Sequence, residues 1–142
     1  MSDPELVSVA LRSKDDGNLK FKEGKLKEAE GLYRDGLSHL ETVKNDNDEI
    51  KKLKVVVNQN LAMVLNKAGN YADAVTCCSA AIAVDDKALK AYYQRAVAGR
   101  HLKNFDGATE DLKTAIKLNP KDKNLRAEFE SLKAEKKKYG AS

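Results

Sequence analysis

The stretch Ala62-Met63-Val64-Leu65-Asn66-Lys67-Ala68-Gly69-Asn70-Tyr71-Ala72-Asp73-Ala74 returns in outline 34 residues later, as Ala96-Val97-Ala98-Gly99-Arg100-His101-Leu102-Lys103-Asn104-Phe105-Asp106-Gly107-Ala108. Each copy begins on a small residue, places an aromatic nine residues on and another Ala three beyond that. A looser copy, Gly17, Leu26 and Ala29, lies 45 residues before the first of these. On either side of each small slot, apolar residues step by three or four, the period of an amphipathic helix. Leu26, Ala29, Tyr33, Leu37 and Leu40 share one such face, and Leu125, Phe129, Leu132 and Tyr139 another.

Breaks separate these helical segments. Gly24, the polar run Lys44-Asn45-Asp46-Asn47-Asp48, Gly69-Asn70, Asp85-Asp86 and Asn119-Pro120 all carry turn or stop residues. The spacing predicts seven helices, over about residues 7–24, 26–43, 49–68, 71–84, 88–102, 105–118 and 122–139, with residues 1–9 as a short leader. No stretch reads as a strand, so the fold class is all-α. Paired helices on a 34-residue period are the mark of tetratricopeptide arrays, in which small residues let the two helices of each repeat approach closely.

On those slots the chain resembles a three-repeat tetratricopeptide (TPR) domain with a C-terminal capping helix. The resemblance covers residues 10–139, with repeats at about 10–43, 55–88 and 89–122, an insertion at 44–54 and the last helix at about 122–139. Leu26 stands where the family has an aromatic, and Gly36 where it has Ala. The resemblance implies a right-handed superhelix, its concave face lined by the first helix of each repeat.

Register assigns groove positions. Lys14 and Asn18 are the fifth and ninth residues of repeat one, Asn60 is the sixth of repeat two, and Lys90 and Gln94 are the second and sixth of repeat three. This pattern is similar to the carboxylate-clamp subclass, co-chaperone adaptors whose Lys and Asn side chains hold the C-terminal aspartate of a Glu-Glu-Val-Asp tail. The resemblance implies heat-shock protein 90 or heat-shock protein 70 tails as partners. Lys14, Asn18, Asn60 and Lys90 agree with the clamp, whereas Gln94 replaces the family's Arg. Arg95 is no substitute, because it lies about 100° further round the helix. Phe21, Val56, Met63 and Val97 offer apolar contacts, and Lys67 and His101, each thirteenth in its repeat, continue the face. The final Asn119-Pro120-Lys121-Asp122 and the long basic helix look like the C-terminal TPR region of large immunophilins, the FK506-binding and cyclophilin-type isomerases. No isomerase activity is expected in these residues, whether they stand alone or follow a catalytic domain.

The rest of the composition is consistent with a binding module. A net charge of +4 with 34% charged residues is mild and dispersed. The basic run Lys136-Lys137-Lys138 sits at a helix end, where cations complement the dipole, and it lacks interleaved aromatics apart from Tyr139, so nucleic-acid binding is not expected. No apolar run is long enough to span a membrane. Adjacent Cys77 and Cys78 suit core packing in a reducing compartment, and a cytoplasmic location is expected. His39 and His101 have no ligand partners at metal spacing, so neither a metal nor a cofactor is expected. No phosphate loop or nucleophile elbow appears, and no enzyme is expected. A second reading is a TPR scaffold that binds an internal segment of an assembly partner, with Gln94 as its cue.

Overall fold

The computed structural model describes residues 1–140. Seven α-helices follow in order: α1 (Asp3–Lys22), α2 (Leu26–Glu41), α3 (Asp48–Lys67), α4 (Tyr71–Val84), α5 (Leu89–His101), α6 (Phe105–Leu118) and α7 (Lys123–Gly140). No strand occurs among the described residues. Consecutive helices pack as neighbours, and α3 also lies against α1 and α5, so the first helices of the pairs form a layer of their own.

The helix ends follow from local chemistry. Gly24 and Gly69 terminate α1 and α3 with φ of +77° and +84°, a region that residues with a Cβ rarely adopt. The Asn47 side chain accepts the Ile50 N–H at 2.9 Å and caps α3. Asp122 does the same for α7, accepting the N–H groups of Asn124 (2.9 Å) and Leu125 (3.3 Å).

One boundary differs from expectation. Residues 1–9 are not a leader: α1 begins at Asp3, and Leu6 is buried. Ser2 and Glu5 form a reciprocal capping box with Pro4 in the first turn, a stop-free start that apolar spacing alone does not register. The Asp3 carboxylate then accepts the N–H groups of Lys44 and Asn45, both at 2.9 Å, and fastens this end of α1 to the α2–α3 loop.

The small slots are packing slots. Ala62, Ala74, Ala96 and Ala108 are all buried, as are Ala29 and Gly17. At Gly17 the missing side chain is filled by a partner: an added Cβ would lie 2.7 Å from the Tyr33 ring. Tyr33 is fully buried, with Leu40, Ile50, Leu61 and Leu65 in the same core. A second cluster, including Tyr92, Leu112, Leu125 and Leu132, joins α5, α6 and α7. Burying each Leu or Ile contributes about 1.5–3 kcal/mol. Both cysteines are buried, and the loss of water pushes the Cys78 thiol up to about 12.

Candidate functional site

The site is built on the first-helix layer. Asn18, on α1, directly follows Gly17, so the ring that fills the Gly17 slot brings its own hydroxyl to Asn18. The Tyr33 hydroxyl donates to Asn18 Oδ1. Asn60 Nδ2, on α3, donates to the same oxygen at 3.1 Å. Both donors occupy the carbonyl end of the Asn18 amide, which leaves its Nδ2 group directed away as a donor. Burial holds the Tyr33 phenol above its ordinary pKa, so at neutral pH it remains a donor.

Across from Asn60, α5 contributes Lys90 and Gln94. Asn60, Met63, Lys90 and Gln94 line one concavity of about 390 Å³, floored by Leu89 and Leu125. Lys90 is exposed and has no ion-pair partner among the described residues. Gln94 is held more tightly than its solvent-facing position suggests. Asn66 Nδ2 donates to Gln94 Oε1 at 2.9 Å and to the Gln94 main-chain oxygen at 3.0 Å. With its oxygen engaged, the Gln94 side chain has only its NH₂ group to offer a ligand.

The remaining expected residues are placed more loosely. Phe21 and Lys67 meet each other, the ammonium lying 5.7 Å from the ring centroid. Lys14 is one turn before Asn18 on α1 and half-buried, with Asp15 at 3.6 Å; no hydrogen bond or ion pair joins it to α3 or α5 among the described residues. Val56 lines a separate concavity with Val84, Lys51 and Lys87, which adjoins the first at Gln59, Leu89 and Lys90. Val97 and His101 line a third, and the His101 ring stacks on Tyr71 at 4.2 Å. Arg95 is turned away from all of them, forming a two-pronged bond to Asp111 at 2.9 and 2.8 Å.

Three participants were absent from the sequence expectation as site residues: Tyr33, Asn66 and Glu128. Glu128, on α7, lines the same concavity as Asn60 and Gln94. Its Oε1 accepts the Tyr93 hydroxyl at 2.9 Å. Burial first, and then this bond to a carboxylate, push the Tyr93 phenol up to about 12. A signal for Glu128 existed: Asn60, Gln94 and Glu128 are each 34 residues apart, so α7 continues the register of the first helices. Tyr33 and Asn66 act through contacts between helices and left no such trace.

Among the described residues no group of three or more His, Cys, Asp or Glu side chains is gathered as a metal would require, and no helix is long and apolar enough to cross a membrane. The chemistry available is hydrogen-bond donation from amides and ammonium groups into an open groove.

A tetratricopeptide repeat model matches residues 89–122. FK506-binding protein 59 of Drosophila melanogaster is 29% identical over 87% of the chain, and the peptidyl-prolyl cis-trans isomerase FKBP42 of Arabidopsis thaliana 30% identical over 96%. The chain spans only 28% and 39% of the lengths of these two relatives. Among solved structures, the C-terminal TPR-containing domain of a Plasmodium falciparum FK506-binding protein superposes with a TM-score of 0.90 at 28% identity, covering 100% of this chain and 97% of that one. The first TPR of Spaghetti (RPAP3), bound to the HSP90 peptide SRMEEVD, superposes with a TM-score of 0.78 at 26% identity over 90% of this chain and 93% of that one. The second TPR domain of human RPAP3, in complex with the HSP70 peptide SGPTIEEVD, gives 0.75 at 28% identity over 89% and 96%. The chain therefore has the tetratricopeptide-repeat fold, and its likeness runs to the TPR regions of FK506-binding immunophilins and of chaperone-binding proteins.

Proposed function

We propose that this chain is a protein-interaction module that holds the free C-terminus of an acidic, Glu-Glu-Val-Asp-type tail, as carried by heat-shock protein 90 or heat-shock protein 70. The observation that carries the reading is the Asn18–Asn60 bond, with Tyr33 behind it. It occupies the carbonyl of the Asn18 amide and leaves the NH₂ group to donate, beside a groove that Asn60, Lys90 and Gln94 line. A terminal carboxylate offers two oxygens and a full negative charge, which internal peptide bonds lack. Amide and ammonium donors from three helices match it, with Lys14 completing the set from α1. Each charge-assisted bond contributes about 1.5–3 kcal/mol. Two or three, after the cost of ordering the tail, give affinity on the order of micromolar. Phe21, Met63 and Lys67 take the residues before the terminal one.

The similar structures bound to SRMEEVD and SGPTIEEVD support this reading, and so does the likeness to immunophilin TPR regions. In it the chain acts without catalysis, cofactor or metal, in the cytoplasm where such tails occur. Titration of a Glu-Glu-Val-Asp-ended peptide against the wild type and against Lys14→Ala, Asn60→Ala and Lys90→Ala tests the site. Each substitution is expected to weaken binding at least fivefold, about one charge-assisted bond discounted for exposure. Full affinity in all three variants contradicts the assignment.

A second reading, a scaffold for an internal segment of an assembly partner, is favoured by one observation. The far wall carries the uncharged Gln94 and the acidic Glu128. That reading requires binding that does not depend on a free terminus.

A further inference from the structure

Along the groove, one register position of the 34-residue repeat changes character from helix to helix: Asn60 on α3, Gln94 on α5 and Glu128 on α7, at a constant spacing of 34 residues. The first two are amides and the third is a carboxylate. All three line one concavity of about 390 Å³. The groove therefore has two chemical ends. Donors stand on α1, α3 and α5, and an acceptor stands on α7.

The Glu128 carboxylate is held in place there. The Tyr93 hydroxyl donates to Oε1 at 2.9 Å, which ties the side chain to α5 between Lys90 and Val97. Oε2 has no partner among the described residues, and no Lys or Arg neutralises the group within ion-pair distance. The neighbouring acids of this wall are engaged elsewhere. Glu135 accepts from Arg100 at 2.6 Å, and Asp122 caps α7. Glu128 is thus a half-buried negative charge with a vacant oxygen, pinned in the path of whatever crosses from α3 to α7.

We infer that Glu128 is a specificity-determining residue, which selects a polypeptide tail with a basic side chain, and disfavours an acidic one, where the bound chain passes α7. The inference rests on the C-terminal-peptide reading above. Neighbouring helix axes lie about 8–10 Å apart, and an extended chain covers about 3.3–3.6 Å per residue. With the terminal carboxylate held between α1, α3 and α5, α7 is one to two helix spacings away. The residue that faces Glu128 is then about two to six positions before the terminus. Only every second side chain of an extended segment points the same way, so one or two positions carry the effect, and acidic residues between them turn aside.

The test uses the heptapeptide Ser-Arg-Met-Glu-Glu-Val-Asp and variants with Arg or Glu at each position about two to six before the terminus. Affinities are measured for the full chain and for Glu128→Gln, which preserves shape and an oxygen to accept from Tyr93. The expected result is a position at which the wild type binds the Arg peptide about threefold to fivefold more tightly than the Glu peptide, the upper range for a partly exposed ion pair. Glu128→Gln is expected to narrow that gap to less than twofold. Absence of a gap at every position, or a gap unchanged in Glu128→Gln, overturns the inference. Amidating the parent peptide keeps the two readings apart. Equal loss of affinity in both proteins supports the clamp whatever the Arg/Glu result, and no loss removes the clamp and, with it, the count of positions from the terminus. If none of the peptides binds, both readings fall.

Discussion

The side-chain NH₂ of Asn66 donates to the main-chain oxygen of Gln94 at 3.0 Å and to its side-chain oxygen at 2.9 Å. Asn66 is 8% exposed, so the bond to Gln94 is sheltered from water. Gln94 is thereby a fixed donor rather than a rotating amide. In the proposed clamp it stands where the family pattern has an Arg, and it carries no charge.

Gln94→Arg restores the charge at the cost of the acceptor for Asn66. Binding of an acidic C-terminal peptide is expected to tighten about tenfold, with a steeper dependence on salt. The fold is expected to lose about 1 kcal/mol, because Asn66 keeps only the main-chain oxygen. Calorimetric titration at two salt concentrations reads the first effect, and denaturant unfolding the second. An affinity that does not change places position 94 outside the contact.

Gly17→Ala reverses the usual sign of a helix substitution. In a solvent-facing helix the change stabilises by about 0.5–1 kcal/mol. Here the new Cβ would lie 2.7 and 2.9 Å from two carbons of the Tyr33 ring, which is fully buried and anchored by its hydroxyl to Asn18. Overpacking of this kind costs about 1–3 kcal/mol. Thermal unfolding should therefore show a lower midpoint, and peptide affinity should fall as Tyr33 shifts off Asn18. A raised midpoint contradicts the packing argument.

The fold was legible in the sequence because its determinants are periodic. Ala62, Tyr71 and Ala74 recur as Ala96, Phe105 and Ala108, and a packing slot that recurs at constant spacing identifies the architecture before any contact is known. Asn18, Asn60, Lys90 and Gln94 were legible for the same reason, as positions. What holds them was not. Tyr33 reads as one more apolar residue on α2, and its hydroxyl acquires a role only when the Gly17 slot admits the ring. The Asn66–Gln94 bond depends on how α3 and α5 pack. Glu128 falls between these cases: its spacing from Gln94 is plain in the sequence, but α7 reads as a cap unless the register is carried past residue 122.

Asp3 ties α1 to the α2–α3 loop through two main-chain bonds, which hold its carboxyl below the ordinary value of 3.8. A group with a lowered folded value stabilises above its unfolded value, and the contribution is lost as pH falls through the folded one. Asp3→Asn is thus expected to lower the unfolding midpoint at pH 7. The difference from the wild type should shrink as pH is lowered below 3.8. A gap that stays constant across that range contradicts the charge-dependent tie.

Cys78 is fully buried, and its thiol stands at about 12, raised by burial first and by Cys77 second. At pH 8 only about one molecule in ten thousand carries the reactive thiolate. Iodoacetamide is expected to leave Cys78 unmodified in the native protein while labelling it fully in denaturant, as peptide mass spectrometry would show. Rapid native labelling contradicts its place in the core.

The proposed clamp requires a free C-terminus on the bound tail. The direct measurement is the affinity of one Glu-Glu-Val-Asp-ended peptide in two forms, with a terminal carboxylate and with a terminal amide, at the same salt concentration. Donors such as Asn18, Asn60 and Lys90 lose their charged acceptor when the amide replaces it, and affinity is expected to drop at least tenfold, about 1.4 kcal/mol or more. Equal affinity for the two forms contradicts the account.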